Sequence, residues 1–527
     1  MNLNIVLDIN IVLDLILKRP PATIEKLSLF SQFKKQGARF HFPACGLPSL
    51  EYIHSREVGR LIHEGRIKTN LPTRDVAKKQ LDTFLKTIQI LSTPGFTWGE
   101  IPEDHSDRED ALIGLSAAQI PKPVYLWTND GEFDPVAKGV TVINEVSGKT
   151  LIDSPQSSPI PFIDLTTQQG IIRNRIEKRL TTVLRHGQYI MGPEIRELEA
   201  NLAEYVGVKH CITCASGTDA LLMALMALDI GPGDEVITAP YTWISTAEVI
   251  ALLRAKPVFV DILPDTFNMD PGKLEAVITP ATKAIMPVGI YGQCADMTRV
   301  NQIAGRHGIP VIEDAAQCFG ATHHGKNACN LSLIGCTSFF PSKPLGCYGD
   351  GGAIFTPDDA LADKMRQIRI HGQKVKHQHP LVGINGRLDT LQAAILLEKF
   401  ALFPKECELR AGVGKYYSVL LADLPGITTP VIAPGNTSVY AQYTILSSNR
   451  DVLSKSLQAA GIPSVAYYTA PLHLQGAFAE LGRKAGDFPV AEKVAARCLS
   501  LPMSPYLMMK EQEKVVEAIK TENSKFK

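Results

Sequence analysis

Apolar and polar positions follow two periods along most of the chain. Short apolar runs of strand length alternate with longer segments whose apolar residues recur roughly every three to four positions, the spacing of one helix face. Strands and helices in alternation are typical of a mostly parallel sheet covered by helices, so the predicted fold class is α/β. After residue 200, the predicted strands are 235–238, 257–261, 284–288, 310–313 and 337–339, and the predicted helices are 218–228, 245–253 and 297–307.

The beginning of the chain shows a similar pattern, with acidic residues at the ends of its predicted elements. Asp8 ends an apolar strand, and Asp130 follows another. Glu51 and Asp110 stand where helices are predicted to begin, with Asp107 as an alternate for Asp110. Acids at such positions can converge on Mg²⁺ or Mn²⁺, which prefer oxygen ligands. The alternative is that each acid is an ordinary helix cap.

A segment rich in Ser and Pro separates this first part from the rest. Residues 148–160 have little periodicity, which is typical of an extended connection. A chain of 527 residues is also too long for a single compact core. We therefore predict a first domain at 1–147, a linker at 148–160 and a larger region after it.

Composition and charge narrow the functional classes. Lys+Arg and Asp+Glu are both 54, so the net charge of zero argues against a strongly basic surface for nucleic acid. No apolar run reaches the ~18 residues that suggest a membrane span, and the apolar start lacks the basic region of a signal peptide. Ten cysteines in this length do not make a disulfide scaffold, and the C-x-x-C at Cys211 and Cys214 has no second pair for zinc. The expected location is the cytoplasm.

Two motifs that follow predicted strands have the chemistry of a phosphate site and a ring-nitrogen site. Gly217 and Thr218 lie in a small polar turn before an apolar helix, where helix N-terminal amides favour phosphate. A plain helix cap is the alternative. Asp314 follows the strand 310–313, where an acid can keep a pyridinium nitrogen protonated. Gln317 lies one turn further and can reach a ring hydroxyl.

A third motif supplies an amine. Lys343 follows a buried apolar strand and precedes a glycine-rich segment. Burial lowers a lysine's affinity for its proton, which an imine-forming amine requires, while a surface lysine on a turn is the alternative. Trp243 offers a flat face that can stack on a ring. The order of the motifs, from phosphate turn to acid to lysine, is more informative than any one of them.

These motifs resemble the DegT-type sugar aminotransferases, which have the type I fold of enzymes that use pyridoxal phosphate (PLP). The resemblance runs from about residue 160 to about 519. It implies a large PLP-binding domain at 161–405, a smaller C-terminal α/β domain at 406–527, and a homodimer with shared active sites. It rests on matching motifs at 162–164, 216–219, 313–317, 338–343, 383–389 and 471–473.

The resemblance also implies roles for individual residues. Lys343 carries PLP covalently, Asp314 pairs with its pyridine nitrogen, and both act in catalysis. The other implied cofactor contacts are Gly217, Thr218 and Ser338 at the phosphate, Gln317 at the ring oxygen, Trp243 against the ring, and Asn385 from the neighbouring subunit.

Within that family, the segments 291–296 and 336–350 resemble enzymes of bacterial surface-polysaccharide (O-antigen) synthesis. Their substrate is a UDP-linked 3-keto sugar, UDP-2-acetamido-2-deoxy-3-keto-hexuronate, and the expected amino donor is L-glutamate. A sugar carboxylate suits a fixed guanidinium, and Arg387 is the candidate. A structural pair of Arg387 with Asp389 is the alternative. Tyr468 and His473 are predicted to line the sugar pocket, with core packing as the alternative.

The first 147 residues resemble a PIN domain, the small α/β fold of many ribonucleases. Asp8, Glu51, Asp110 and Asp130 fall on the acidic positions of that family, so the resemblance implies a Mg²⁺ or Mn²⁺ site and RNA as a partner. Two alternatives stay open for the whole chain. One is a PIN-type ribonuclease or toxin as the main activity. The other is a PLP sugar dehydratase, against which Lys343 argues because that subgroup resembles this chain but carries His in place of the anchoring lysine.

Overall fold

The computed structural model describes residues 160–523 and, before them, five strands of the first part of the chain. The chain divides into two compact units, Met1–Ser158 and Pro159–Lys527. The strands of the first unit are β1 (Asn4–Leu7), β2 (Arg39–Pro43), β3 (Gln89–Leu91), β4 (Val124–Trp127) and β5 (Val140–Ile143).

The first unit contains a five-stranded parallel sheet with the order β3-β2-β1-β4-β5. The central strand β1 pairs in register with β4, so that Leu7 lies opposite Trp127. The predicted metal-binding acids lie outside the described residues, and their placement stays a prediction. They are Asp8, Glu51, Asp110 and Asp130, with Asp107 as the alternate.

The second unit alternates helices and strands. None of the helices that the structure describes is long and apolar enough to cross a membrane. The helices are α1 (Thr166–His186), α2 (Pro193–Val206), α3 (Gly217–Ala227), α4 (Ser245–Leu252), α5 (Met297–His307), α6 (Asp359–Ile368), α7 (Thr390–Phe400), α8 (Phe403–Leu421), α9 (Arg450–Ala459), α10 (Pro489–Arg497) and α11 (Met509–Asn523). The strands are β6 (His210–Cys214), β7 (Glu235–Thr238), β8 (Lys256–Phe259), β9 (Thr282–Met286), β10 (Ile312–Asp314), β11 (Thr322–His323), β12 (Lys326–Asn327), β13 (Ile334–Ser338), β14 (Gly352–Thr356), β15 (Ile427–Thr428), β16 (Tyr443–Ser447) and β17 (Cys498–Leu501).

The main sheet of this unit is mostly parallel. One part has the order β8-β7-β9, and the other has the order β10-β13-β14-β6. Parallel bridges from Ile285 to Val311 and from Val288 to Asp314 connect the two parts. Only β14 runs against its neighbours, pairing antiparallel with both β13 and β6. The predicted α/β fold class is confirmed for this unit. The antiparallel strand β14 was not part of that prediction.

Apolar residues cover both faces of the main sheet. Successive side chains of a strand point to opposite faces. Accordingly, Ile237 packs in one buried apolar cluster and its neighbour Val236 in another. The same alternation separates the two thiols of the C-x-x-C motif, since Cys211 belongs to the first cluster and Cys214 to the second. These two thiols therefore lie on opposite faces of β6, as expected for packed thiols rather than paired metal ligands.

A smaller antiparallel sheet with the order β15-β16-β17 has a buried apolar cluster of its own. Helix α8 connects this cluster to the main core, because Phe403 near its start packs in the first cluster and Tyr417 in the small one. Helix α10 packs back on the main core through Ala491 and Val494. The buried carboxylate of Asp261 fixes that helix start by accepting from the amide of Ala491 (3.0 Å).

Candidate active site

The predicted cofactor residues come together at the carboxyl ends of the central strands. Asp314 is the last residue of β10, Ser338 is the last residue of β13, and α3 begins three residues after β6. These three strands run parallel to one another, so their ends meet at one edge of the sheet. Ligands of open α/β sheets bind at this edge.

Asp314 is the buried acid of the site, with 4% of its surface exposed. Its Oδ2 accepts from the hydroxyl of Thr246 (2.8 Å), and its Oδ1 accepts from the amide of Ala316 (3.2 Å). Burial raises the pKa of this carboxyl, and the two hydrogen bonds and the charge of Lys343 oppose the rise. No ion pair within the described residues neutralises Asp314. The carboxylate is therefore available to a cationic group of a ligand.

Lys343 lies half-buried on the turn after β13, and its amide donates to the carbonyl of Phe340 (2.8 Å). Burial lowers the pKa of its amine, and the nearby Asp314 and Cys318 oppose the change. The neutral amine is the form that attacks a carbonyl carbon. Lys343 thus has the environment that the sequence predicted for an imine-forming lysine.

Gln317 lies beside Asp314 with its amide held in one orientation. Its Oε1 accepts from the backbone amide of Tyr291 (2.9 Å), and its Nε2 donates to the hydroxyl of Tyr468 (3.2 Å). The ring of Tyr468 lies 5.9 Å from that of Trp243, between centroids. Trp243 is 58% exposed, which is unusual for so large an apolar side chain. The site therefore offers a flat aromatic face to a ligand.

The start of α3 forms the phosphate end of the site. The side chain of Ser216 accepts from the amide of Asp219 (3.0 Å). The amides of Gly217 and Thr218 have no acceptor among the described residues. The hydroxyl of Thr218 bonds that of Ser245 (2.8 Å). A Cβ on Gly217 would stand 2.6 Å from the Cβ of Ser338, so only glycine lets these two backbones approach. The open amides of the helix start and the nearby hydroxyls of Thr218, Ser245 and Ser338 suit a phosphate group.

These features fit pyridoxal phosphate. The open amides and hydroxyls match its phosphate, the exposed face of Trp243 matches its ring, and the buried carboxylate of Asp314 matches a protonated ring nitrogen. Lys343 supplies the amine that would hold its carbonyl carbon.

The segment 385–387 runs next to this phosphate end, because the amide of Ala215 donates to the carbonyl of Gly386 (3.0 Å). Asn385 is exposed. Arg387 is half-buried, and its Nε is buried with no hydrogen-bond partner. No ion pair joins Arg387 to Asp389 in the part of the chain that the structure describes. The guanidinium is therefore free to pair with an anionic ligand.

His473 is placed differently from the other predicted site residues. Its side chain is fully buried, its Nε2 lies 3.1 Å from Oε1 of Glu492, and its ring packs on that of Phe488. Its assignment to the sugar pocket stays a prediction, and the burial weighs against direct contact with a sugar. The described contacts are those of a packed core histidine.

Three residues of the site were not predicted from the sequence: Ser245, Thr246 and Tyr291. Ser245 and Thr246 begin α4, two and three residues after Trp243, so the motif around that tryptophan contained them. A helix start that follows a strand in an α/β sheet is a sequence pattern that could have found them. Tyr291 contributes only its backbone amide to this contact. Since almost every residue has such an amide, the residue type at position 291 does not indicate this role.

Comparison with known proteins agrees with this geometry. Residues 170–520 match the DegT/DnrJ/EryC1/StrS aminotransferase family. The chain belongs to this family. The matched residues lie entirely within the second unit. The first unit is outside the match, so the comparison describes the aminotransferase part alone.

Individual relatives and solved structures cover the same part of the chain. The UDP-2-acetamido-2-deoxy-3-oxo-D-glucuronate aminotransferase of Pseudomonas aeruginosa is 58% identical over 348 residues, which are 66% of this chain and 96% of that protein. The crystal structure of a DegT DnrJ EryC1 StrS aminotransferase from Brucella abortus is 46% identical, with a TM-score of 0.67 over 68% of this chain and 98% of that one. NtdA from Bacillus subtilis, solved with bound cofactor PMP, is 32% identical, with a TM-score of 0.65 over 70% and 86%. The second unit therefore has the type I aminotransferase fold, and PLP is the cofactor expected for its family.

Proposed function

We propose that the second unit transfers the amino group of L-glutamate to a UDP-linked 3-keto sugar with PLP as cofactor. The observation that carries the proposal is the meeting of Lys343, Asp314 and the open helix amides at one edge of the sheet. The favoured substrate is UDP-2-acetamido-2-deoxy-3-keto-hexuronate, because the Pseudomonas relative is named for its activity on such a sugar. A role in surface-polysaccharide (O-antigen) synthesis follows from that substrate.

The residues of the site divide the chemistry between them. When bound, PLP supplies an electron sink for the proton transfers. The carboxylate of Asp314 would keep the proton on the ring nitrogen, and Gln317 would bond the ring oxygen. The amine of Lys343 would hold the cofactor and, once displaced by the donor, would shuttle protons: it accepts one from the α-carbon of glutamate and passes it on in the first half of the reaction, and in the second half it takes a proton up again and delivers it to C3 of the sugar.

Arg387 is the proposed partner of the sugar carboxylate. Its buried Nε has no hydrogen-bond partner, a feature that it shares with five other arginines, but within the described residues the rest of its guanidinium also makes no hydrogen bond or ion pair, which supports this role because a buried donor normally has a partner. A guanidinium holds a carboxylate through two parallel hydrogen bonds, which an ammonium cannot do.

Kinetics of Arg387→Lys test this assignment. The KM for the UDP-keto sugar should rise by roughly 10- to 100-fold, because a hydrogen bond to a charged group is worth about 1.5–3 kcal/mol. The KM for glutamate should change much less. Equal, small changes in both values would remove Arg387 from the sugar pocket.

A homodimer is part of the proposal. Asn385 reaches the cofactor phosphate of the neighbouring subunit, so each active site takes residues from two chains. The exposure of Asn385 supports this, because a side chain that serves a second subunit must project from its own. The cytoplasm is the expected location.

A second candidate function belongs to the first unit. Its five-stranded parallel sheet has β1 at the centre beside β4, and Asp8 is the next residue in sequence after β1. This arrangement supports a PIN-like nuclease, whose acids would follow the carboxyl ends of neighbouring parallel strands. The full chain should then cleave RNA with Mn²⁺, and Asp8→Asn should abolish cleavage while leaving transamination intact. Undiminished cleavage by Asp8→Asn would end the nuclease proposal.

A further inference from the structure

A second group of reactive side chains lies behind the cofactor residues. The sulfur atoms of Cys294 and Cys318 and a carboxylate oxygen of Glu313 all lie within 4.8 Å of one another. All three residues are buried, with 1%, 0% and 2% of their surfaces exposed, respectively. We refer to these three residues as the thiol–carboxyl cluster.

The fold holds each member of the cluster in place. Glu313 precedes Asp314 on β10, and since successive strand residues point to opposite faces, Glu313 projects away from the cofactor site. Cys318 follows Gln317 directly. The carbonyl of Cys294 accepts from the side-chain amides of Asn268 (3.2 Å) and Asn436 (2.8 Å). The cluster is thus built on the same segment, 313–318, that carries the ring contacts of the cofactor.

One oxygen of Glu313 lacks a partner. Its Oε2 accepts from the amide of Cys329 (2.8 Å), whereas its Oε1 is buried and has no hydrogen-bond partner. A buried polar atom without a partner costs free energy, and an ionised carboxylate costs more. A cation bound by Oε1 of Glu313 and by the two cysteine sulfurs would give the unpartnered oxygen a partner and so remove this free-energy cost.

We propose that Cys294, Cys318 and Glu313 bind one soft divalent cation of the Zn²⁺ class as a structural site, with a trapped water molecule as the fourth ligand of the tetrahedron. Thiolate sulfur and carboxylate oxygen are both zinc ligands, and thiolates favour zinc over Mg²⁺ or Ca²⁺. The cation draws the unpartnered oxygen and both sulfurs to one centre. It thereby fixes the segment 313–318, and the proposal is independent of the sugar that the enzyme uses.

The metal content of the full-length protein tests this site. Because the cluster is buried, the cation is acquired during folding, so the protein is expressed in zinc-supplemented medium and then dialysed against EDTA. We expect about one zinc per chain by plasma mass spectrometry, as for a structural site. Less than about a tenth of a zinc per chain in the parent protein would overturn the proposal, because a structural site retains its metal.

The zinc content of two double cysteine variants shows whether a bound metal lies in the thiol–carboxyl cluster. The double variant Cys294→Ser, Cys318→Ser should lose the zinc, whereas the matched control Cys211→Ser, Cys214→Ser, which removes two other buried thiols, should keep it. Equal zinc in both would place the metal elsewhere and overturn the proposal.

Glu313→Gln keeps the shape of the carboxyl group and both thiols, so it covers the case in which the double variant does not fold. The parent protein refolded with Cd²⁺ should show thiolate-to-metal charge-transfer absorption. In Glu313→Gln the Cd²⁺ affinity should fall by at least about 100-fold, the upper end of what the loss of a supporting partner costs. Unchanged affinity in that variant would exclude Glu313 as a ligand.

Discussion

At the scale of single residues, the ionised form of Asp314 is stabilised by a neighbour that the sequence does not point to. Thr246 donates to its Oδ2 at 2.8 Å, and Thr242 in turn lies 3.3 Å from Thr246, between hydroxyl oxygens. The hydrogen bond from Thr246 lowers the pKa of Asp314 against the opposite effect of burial. Thr246 is therefore a positioning residue, whose hydrogen bond favours the ionised form of the catalytic carboxyl.

Thr246→Val should move the acid limb of the pH–rate profile. Without the hydroxyl, the pKa of Asp314 rises, so the carboxylate is lost at a higher pH as the pH falls, and activity is lost with it. At neutral pH, kcat should fall by roughly 2- to 10-fold, the worth of one hydrogen bond. Thr242→Val is the matched control, and its acid limb should move less. An unmoved limb in Thr246→Val would show that this contact does not govern Asp314.

Residue types revealed the principal chemistry of the site but not its hydrogen-bond partners. Lys343 and Asp314 were predicted because a lysine after a buried apolar strand is unusual, and because the acid and the lysine follow a phosphate turn in the order that the resembling family has. Thr246 was not, because its partner is 68 residues away in sequence and only packing brings them together. The burial of His473 beside Glu492 was likewise not predictable, because the sequence gives no measure of side-chain exposure.

At the scale of elements, the phosphate end depends on the contact between the start of α3 and the end of β13. Gly217 and Ser338 form that contact, and a Cβ at position 217 would stand 2.6 Å from the Cβ of Ser338. Because both are parts of regular elements, neither can move alone to relieve an added methyl group.

Gly217→Ala should therefore weaken PLP binding. Overpacking of this kind costs about 1–3 kcal/mol, which corresponds to roughly 10- to 100-fold in dissociation constant. The measurement is a PLP titration of the cofactor-free protein by absorbance. Gly231→Ala is the control, since a Cβ there meets no atom within 4 Å. Equal PLP affinity in the two variants would contradict the proposed phosphate site.

The periodicity located most elements of the main sheet, some with the observed bounds and others, such as the strand predicted at 337–339 and observed as Ile334–Ser338, with bounds that differ by up to three residues. The helix predicted at 297–307 is observed as Met297–His307, and the strand predicted at 235–238 as Glu235–Thr238. The direction of β14 was not predictable from the pattern. A short apolar run such as Gly352–Thr356 indicates a buried strand, but its direction depends on which neighbours it pairs with.

At the scale of the whole molecule, shared active sites make a prediction for mixed dimers. Lys343→Ala and Arg387→Ala should each be nearly inactive alone. Because the segment 385–387 carries both Asn385, which is proposed to serve the neighbouring subunit, and Arg387, we propose that Arg387 and Lys343 of one site come from different chains, so each mixed dimer contains one intact site. When the two variants are mixed in equal amounts, dissociated and reassociated, about a quarter of the parent activity should return. Half of the dimers are then mixed, and each mixed dimer has one intact site of its two. No recovery above the separate variants would place both residues of each site on one chain.

The division into two units is the feature of the whole chain that composition suggested most directly. The Ser- and Pro-rich segment 148–160 spans the point where the units meet, after Ser158. The family match is confined to the second unit, so the principal activity is assigned there.

The most direct test of the account is the transfer of the amino group itself. The full-length protein is incubated with PLP, the UDP-linked 3-keto hexuronate and ¹⁵N-labelled L-glutamate, and the nucleotide sugar is examined by mass spectrometry. The parent should produce a labelled amino sugar, and Lys343→Ala should do so at a rate lower by on the order of 10²–10⁴-fold or more. An unlabelled sugar from the parent, or equal labelling by Lys343→Ala, would contradict the proposed function.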